Sequence, residues 1–234
     1  MEVTVTLTVN AGVCVSLCGV RIWIDALHTR PVPGFSTMTA EQVDAVLRHE
    51  AFASPDAVLC THCHGDHFSP EPMRRAQALW QDTPFYLPEP FLPSQRTLLG
   101  EGGSFAVGAV TVRYFRLPHE KEIYRAVPHY GFLLTGGGRS VLVTGDCAVA
   151  SPELTAALGG EAVDVALLDF PWLALPRGRQ YVRQTLRPAH IALTHFPLPK
   201  DDTAGYRGAA RRAVSLFPDT DVRLLADFLQ QERF

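Results

Sequence analysis

The sequence predicts an α/β fold, a four-layer αββα sandwich in which two β-sheets face each other and helices cover both outer surfaces. The main observation is a repeated order of segments. Alternating and β-branched runs that are typical of antiparallel strands occur twice, and each set is followed by alternating helices and strands. No stretch rich in Pro, Gly or Ser separates the two parts, so we predict a single domain over residues 1–234.

The first part begins with strands and continues with a helix. Thr39 can cap a helix within residues 36–50, because Gln42 can reach back to it and apolar residues recur behind it at helical spacing. The apolar run at residues 56–60 predicts a buried strand, and a helix with proline in its first turn follows at residues 70–80. The opening antiparallel strands are predicted at residues 3–9, 13–17 and 20–26.

The second part repeats this order. A glycine-rich turn at residues 136–138 joins two of its strands as a hairpin. The proline-rich run at residues 87–93 is expected to be a surface loop rather than a domain boundary. The first four strands of this second part are predicted at residues 104–107 and 109–117 and, as a pair, within 130–146. After them, three helices at 151–159, 178–186 and 204–217 alternate with three strands at 163–170, 190–196 and 221–226.

Composition and charge favour a soluble protein with a sizeable core. Of the 234 residues, 47% are hydrophobic and 19% are charged, and the net charge of −3 gives no overall positive field for nucleic acid. No apolar run approaches the roughly 20 residues that span a bilayer, so we expect no membrane partner. The alternating, non-basic N-terminal segment argues against a signal peptide, and the five cysteines are odd in number. We therefore expect a cytoplasmic protein without a disulfide framework.

Three of the nine histidines fall within six positions, in the segment THCHGDHFS at residues 61–69. His62 and His64 are two residues apart, so on an extended segment their rings point the same way and could bind one metal ion. Asp66 and His67 could bind a neighbouring ion. Nitrogen and carboxylate donors suit zinc first, and then iron or manganese.

Further donors occur where later strands end. His119, Asp146 and His195 each follow a predicted strand, the position at which sheet scaffolds present functional groups. His129 competes with His119 for the role of third histidine. We favour His119, because its strand precedes the glycine-rich hairpin.

Taken together, these motifs resemble those of the metallo-β-lactamase fold superfamily. The matching elements run in the same order from residue 3 to about residue 225: Asp25 after an early strand, HxHxDH at 62–67, His119, Gly145-Asp146 and Thr194-His195. The segment at residues 164–196 is similar to the ascorbate-phosphate lactonase-like branch of that superfamily.

The resemblance implies an αββα sandwich of the metallo-β-lactamase type with two Zn²⁺ ions, Mn²⁺ or Fe²⁺ being alternatives. By this resemblance His62, His64 and His119 would bind one ion, Asp66, His67 and His195 the other, and Asp146 would bridge them. Asp66 would also act in catalysis, by orienting a bridging hydroxide. Asp25 would hydrogen-bond the loops that carry the ligands, as carboxylates beside metal sites commonly do.

The expected activity is hydrolysis of a small ester, lactone or phosphodiester. We expect Tyr124, Trp172, Arg177 and His129 to contact the substrate, with arginine able to bind a phosphate or carboxylate through two hydrogen bonds. A nuclease of the same fold is one alternative, although no basic insertion that would bind a polymer is visible. A non-catalytic metal-binding sensor is another.

Overall fold

The computed structural model describes residues 2–234 and contains fourteen strands in two sheets. The strands are β1 (Val3–Leu7), β2 (Val13–Leu17), β3 (Val20–Ile24), β4 (Ala57–Leu59), β5 (Phe85–Leu87), β6 (Arg96–Thr97), β7 (Gly102–Val107), β8 (Val110–Arg116), β9 (Tyr130–Gly136), β10 (Arg139–Val143), β11 (Val165–Asp169), β12 (His190–Thr194), β13 (Asp221–Leu224) and β14 (Gln231–Arg233).

The two sheets have seven strands each and repeat one pattern. The first has the order β14-β1-β2-β3-β4-β5-β6, and the second has the order β13-β12-β11-β10-β9-β8-β7. In the first sheet, β14, β1, β2 and β3 pair in antiparallel fashion, and β3 to β6 pair in parallel. In the second, β7 to β10 are antiparallel and β10 to β13 are parallel. The αββα sandwich that the sequence predicted is therefore confirmed.

Six α-helices accompany the strands within the described residues. They are α1 (Ala40–Arg48), α2 (Pro70–Leu79), α3 (Pro152–Leu158), α4 (Pro171–Ala174), α5 (Pro176–Tyr181) and α6 (Tyr206–Val214). The predicted cap of α1 is present: the Thr39 hydroxyl accepts from the Gln42 backbone N–H, and the Gln42 side chain accepts from the Thr39 backbone N–H. None of the helices within residues 2–234 combines the length and hydropathy needed to cross a bilayer.

Apolar side chains form three layers, which explains why the sheets and helices stack as they do. The layer between the sheets contains inward-facing residues of both, such as Val5 and Phe132. A second layer joins α1 and α2 to the outer face of the first sheet, where Trp23 is fully buried. A third layer packs the four helices α3, α4, α5 and α6 against the outer face of the second sheet, where Trp172 is fully buried. Burial of apolar area in these layers drives the assembly.

The structure contains three short strands that the sequence analysis missed. β5 and β6 flank the proline-rich run, where only three and two residues pair, too few for a periodic pattern to show. β14 pairs with β1 from the opposite end of the chain. The helix predicted at residues 178–186 is instead α5 followed by a single π-helical turn at residues 182–186. The hairpin turn is as predicted, with Gly137 and Gly138 both at positive φ.

Candidate metal centre

The predicted ligands come together where strands of both sheets end. His62, His64, Asp66 and His67 follow β4 of the first sheet. The remaining three, His119, Asp146 and His195, follow β8, β10 and β12 of the second sheet. The centre thus lies at one edge of the sandwich and takes side chains from both of its halves.

These seven side chains form two compact groups. The first group is His62, His64 and His119, and the second group is Asp66, His67, Asp146 and His195. In each group the ligand atoms lie within 4.8 Å of one another, so each group could hold a metal ion. The other six residues are grouped as the sequence resemblance implied, and Asp146, which it expected to bridge the two ions, falls in the second group.

The carboxylate of Asp146, a member of the second group, also approaches the first group. Its Oδ1 is 3.2 Å from Nε2 of His67 and 3.4 Å from Nε2 of His195, both in the second group. Its Oδ2 is 3.8 Å from Nε2 of His119, in the first group. The two oxygens of one carboxylate therefore face different groups.

The residues present fit divalent transition metals. Nε2 of His62 and Nε2 of His119 are buried and have no hydrogen-bond partner within residues 2–234. A buried polar atom without a partner costs about 1–3 kcal/mol unless another interaction satisfies it. The donors are imidazole nitrogens and carboxylate oxygens, the set that suits zinc, iron and manganese.

Asp25 supports two of the ligands through one carboxylate. Its Oδ1 accepts from the Thr61 backbone N–H at 2.7 Å, and its Oδ2 lies 2.6 Å from the Thr61 hydroxyl and 2.9 Å from Nδ1 of His67. Nδ1 of His67 donates to this carboxylate, so Nε2 is the ring nitrogen that would bind a metal after losing its proton. Since the Thr61 hydroxyl donates to Asp25, it accepts from Nδ1 of His62 at 3.0 Å, and Nε2 of His62 is left as a lone pair.

Burial and charge set the protonation of the cluster. Burial lowers the pKa of His62 well below its ordinary value and that of His119 to about 4, so both rings are neutral, the form that binds metals. Burial opposes the charge on His67, but Asp146 and Asp25 outweigh it and raise the pKa of His67 well above its usual range. Burial also opposes the charge on Asp66, yet His195 and His67 hold the pKa of that carboxyl below its usual range. The Asp66 carboxylate is thus ionised and available to a cation.

The structure places His119, and not His129, in the first group. His129 is fully buried behind the centre, with its ring centroid 5.0 Å from that of His62, and it does not line the pocket. Its predicted contact with substrate is therefore wrong. Nδ1 of His119 accepts from the Lys121 backbone N–H at 3.2 Å, which puts the ring proton on Nε2. Metal binding through Nε2 requires that proton to move to Nδ1 and this contact to be given up.

Backbone conformation at the strand ends also shapes the centre. Asp25 and His195 have positive φ values of 53° and 66°, which cost a non-glycine residue about 1–3 kcal/mol. Gly145 also has a positive φ, and a Cβ there would lie 2.8 Å from Nε2 of His129 and 2.9 Å from Cβ of Thr61. Glycine before Asp146 is therefore required by both conformation and space.

A pocket of about 340 Å³ opens over the two groups. Tyr124, a predicted substrate contact, lines it, with its ring centroid 4.5 Å from that of His64. Arg177 pairs with Glu120, which is itself a lining residue. Trp172 is fully buried in the core beneath the second sheet, so its predicted contact with substrate is wrong, and Phe170 and Pro171 line the pocket instead.

Sequence analysis missed most of the pocket wall. The lining residues that it did not single out include Phe35, Glu120, Lys121, Asp169, Phe170 and Tyr206. Asp169 could have been found, because it ends β11 in the same way that the predicted ligands end their strands. It is 7% exposed, and burial raises its pKa well above the ordinary value. The aromatic residues carry no comparable signal.

Replacing Asp25 by Asn should weaken metal binding about 10–100-fold, the usual effect of losing a group that orients a ligand. The amide cannot serve as an anionic acceptor for Thr61 and for Nδ1 of His67 together. Zinc titration against a competing chromophoric chelator measures the change. Asp164→Asn is the matched control, because Asp164 also accepts from a backbone N–H and a hydroxyl, those of Ser140, at the opposite end of β11. Equal zinc affinity in wild type and Asp25→Asn would contradict this role.

Comparison with known proteins gives the fold an independent basis. The model of the β-lactamase superfamily domain matches residues 21–196. No curated protein sequence matches significantly. Similar solved structures include Igni18, a metallo hydrolase from Ignicoccus hospitalis, with a TM-score of 0.68 and 20% sequence identity. That match covers 100% of this chain and 99% of Igni18. A possible metal-dependent hydrolase from Veillonella parvula has TM-score 0.70, 15% identity and 99% coverage of both chains. CmlA, a diiron β-hydroxylase from Streptomyces venezuelae, has TM-score 0.65 and 15% identity over 100% of this chain and 54% of its own.

Proposed function

Because the chain belongs to the β-lactamase superfamily and has the metallo-β-lactamase fold, we propose that it is a hydrolase with a dinuclear zinc centre. In this proposal a hydroxide activated by the centre cleaves a small ester, lactone or phosphodiester. Manganese or iron could take the place of zinc, since the same donors bind all three metals.

The position of Asp146 is the observation that carries the proposal. One carboxylate has an oxygen toward each group of ligands, at 3.2 Å from Nε2 of His67 and 3.8 Å from Nε2 of His119. A carboxylate placed in this way can neutralise and space two cations at once. A single ion would leave either the first or the second group without a use.

The chain supplies positioning and proton handling for hydrolysis. When bound, two divalent ions provide Lewis acidity and make a water acidic enough to act as a hydroxide near pH 7. Asp66 lines the pocket and can accept a hydrogen bond from the attacking nucleophile, which orients it toward the substrate. Asp25 fixes the ring of His67 through Nδ1, and the pocket wall holds the substrate against the ligand groups while excluding water.

Two further features support a small-molecule substrate and a reducing compartment. Among the described residues that line the pocket, Lys121 is the one lysine or arginine, and a nucleic-acid groove needs a series of such cations. Cys14, Cys60, Cys63 and Cys147 are free thiols, which supports action in a reducing compartment such as the cytoplasm.

The test is a hydrolysis screen of the zinc-loaded protein over carboxylic esters, lactones, thioesters, phosphodiesters and β-lactams. We expect turnover of at least one ester, lactone or phosphodiester, and its loss after chelation and return with added zinc. As a control, His49→Ala should keep the wild-type turnover, because His49 lies outside the centre, where its Nδ1 accepts a hydrogen bond from the Ala51 backbone N–H. Zinc binding without turnover of any class would favour the sensor alternative and contradict the proposal.

A further inference from the structure

We propose that the pocket selects uncharged carboxylic esters or lactones that carry an aryl ring, and that Phe35, Phe170 and Tyr206 bind this ring. This inference rests on the proposed function and narrows it to one substrate class. The three side chains are called the aromatic wall below. They come from the loop between β3 and α1, the residue after β11 and the first turn of α6.

The aromatic wall is a continuous surface beside the second ligand group. The ring centroid of Phe35 lies 4.3 Å from that of His195 and 6.3 Å from that of Tyr206. Tyr206 stacks on Phe170 with centroids 4.8 Å apart. All three rings line the pocket and are only partly buried, so a substrate ring can cover apolar surface that is otherwise in contact with water.

The position of the wall fixes where the bond to be cleaved would lie. Phe35 contacts the ring of His195, whose Nε2 is 3.5 Å from Oδ2 of Asp66 and 3.4 Å from Oδ1 of Asp146. A ring held on the wall therefore places an ester carbonyl one or two bonds away at the ligand groups. A short aliphatic ester reaches the same groups without contacting the wall.

Charged groups in the pocket disfavour phosphodiesters. Arg177, which the sequence suggested for phosphate binding, pairs with Glu120, and the nearby Arg179 donates to the carbonyls of Leu173 and Ala174. Lys121 is a single flexible cation whose Nζ lies 5.9 Å from the centre of the Tyr124 ring. The carboxylate of Glu120 lines the same cavity. A bidentate arginine, the usual phosphate ligand, is absent from the described lining.

The test compares three substrates on the zinc-loaded protein: dihydrocoumarin as an aryl lactone, γ-butyrolactone as an alkyl lactone and bis(p-nitrophenyl) phosphate. We expect kcat/KM to be highest for the aryl lactone, at least about 10-fold above the alkyl lactone, since even one methylene in an apolar pocket is worth about that much. In Phe35→Leu and in Phe170→Leu this ratio should fall by about 10-fold. Leu79→Ala, which truncates an exposed apolar residue on α2, is the matched control and should keep the wild-type ratio.

A binding measurement separates recognition from chemistry. Calorimetry with the uncleaved lactam analogues of the two lactones should show tighter binding of the aryl compound by wild type, and a smaller difference in Tyr206→Leu. Zinc content is measured for every variant, so a lost metal is not mistaken for lost recognition. Equal kcat/KM for the aryl and alkyl lactones, or a preference for the phosphodiester, overturns this inference and leaves the proposed function standing. Turnover of none of the three, nor of any compound in the wider screen, overturns the proposed function itself.

Discussion

Asp146→Asn is expected to lower kcat/KM by more than about 100-fold, the upper end of what is lost when a residue only supports a ligand. Asn is nearly isosteric with Asp but neutral, so it removes the charge that faces both ligand groups without changing the local shape. Oδ1 and Oδ2 of Asp146 lie close to Nε2 atoms of His67 and His119 respectively. We therefore expect weaker metal binding together with the loss of rate.

A purely structural role for Asp146 predicts a different result. A carboxylate in this loop could have capped α3, and Asn would replace such a cap at little cost. The cap of α3 is instead Ser151, whose hydroxyl accepts from the Leu154 backbone N–H at 3.1 Å. Circular dichroism should show an unchanged fold, and Asp164→Asn should keep the wild-type rate. An Asp146→Asn protein with its full metal content and full rate would show that the proposed bridging role is wrong.

Removing the metal should lower the melting temperature by roughly 10 °C. Ligand at a thousand times its dissociation constant stabilises a folded protein by about 4 kcal/mol. Each kcal/mol is worth about 2–4 °C in a domain of 150–250 residues. Each ligand group takes side chains from both sheets, so a bound ion links the two halves of the sandwich.

Elemental analysis of gently purified protein should give close to two transition-metal ions per chain.

Two histidine variants provide the matched comparison for this second prediction. His119→Ala removes a member of the first ligand group, so it should lose zinc and most of the zinc-dependent shift in melting temperature. His129→Ala truncates a buried ring outside both groups, so it should bind zinc nearly as wild type does, even if the cavity lowers its stability. A melting temperature that does not respond to zinc or to chelator would contradict the linkage, and the reverse order of the two variants would overturn the assignment of His119.

The two groups of candidate ligands were predictable because their information is local. Four of the seven candidate ligands lie within six residues, and the others follow strands whose alternating or apolar patterns are clear. The choice between His119 and His129 was harder for a physical reason. The Leu117 backbone N–H donates to the carbonyl of His129 at 3.0 Å, so both histidines lie near the ends of paired strands. Which of the two rings faces the centre depends on the packing around Gly145, which spacing in the sequence does not reveal.

The substrate pocket was poorly predicted because its wall is assembled from distant segments. Phe35 and Tyr206 meet only after the loop before α1 and the start of α6 reach the same edge of the sandwich. Trp172 and Phe170 are close in sequence, and the choice between them depends on how α4, which begins at Pro171, sits against the second sheet. Strand pairing has the same limitation, since β14 is three residues long and its pattern gives no sign of its partner.

The pairing of β14 with β1 means that the repeated halves are not interchangeable modules. Val3 and Phe234 exchange backbone hydrogen bonds of 3.0 and 2.9 Å, so a strand that follows the second sheet in the chain completes the edge of the first. A polypeptide cut between β6 and β7 would yield one fragment with an open sheet edge and another with a strand that lacks its neighbour. The cut would also divide each ligand group between the fragments. In a nicked chain the pairing of β14 with β1 would therefore link the two fragments, and a metal bound at the centre would link them as well.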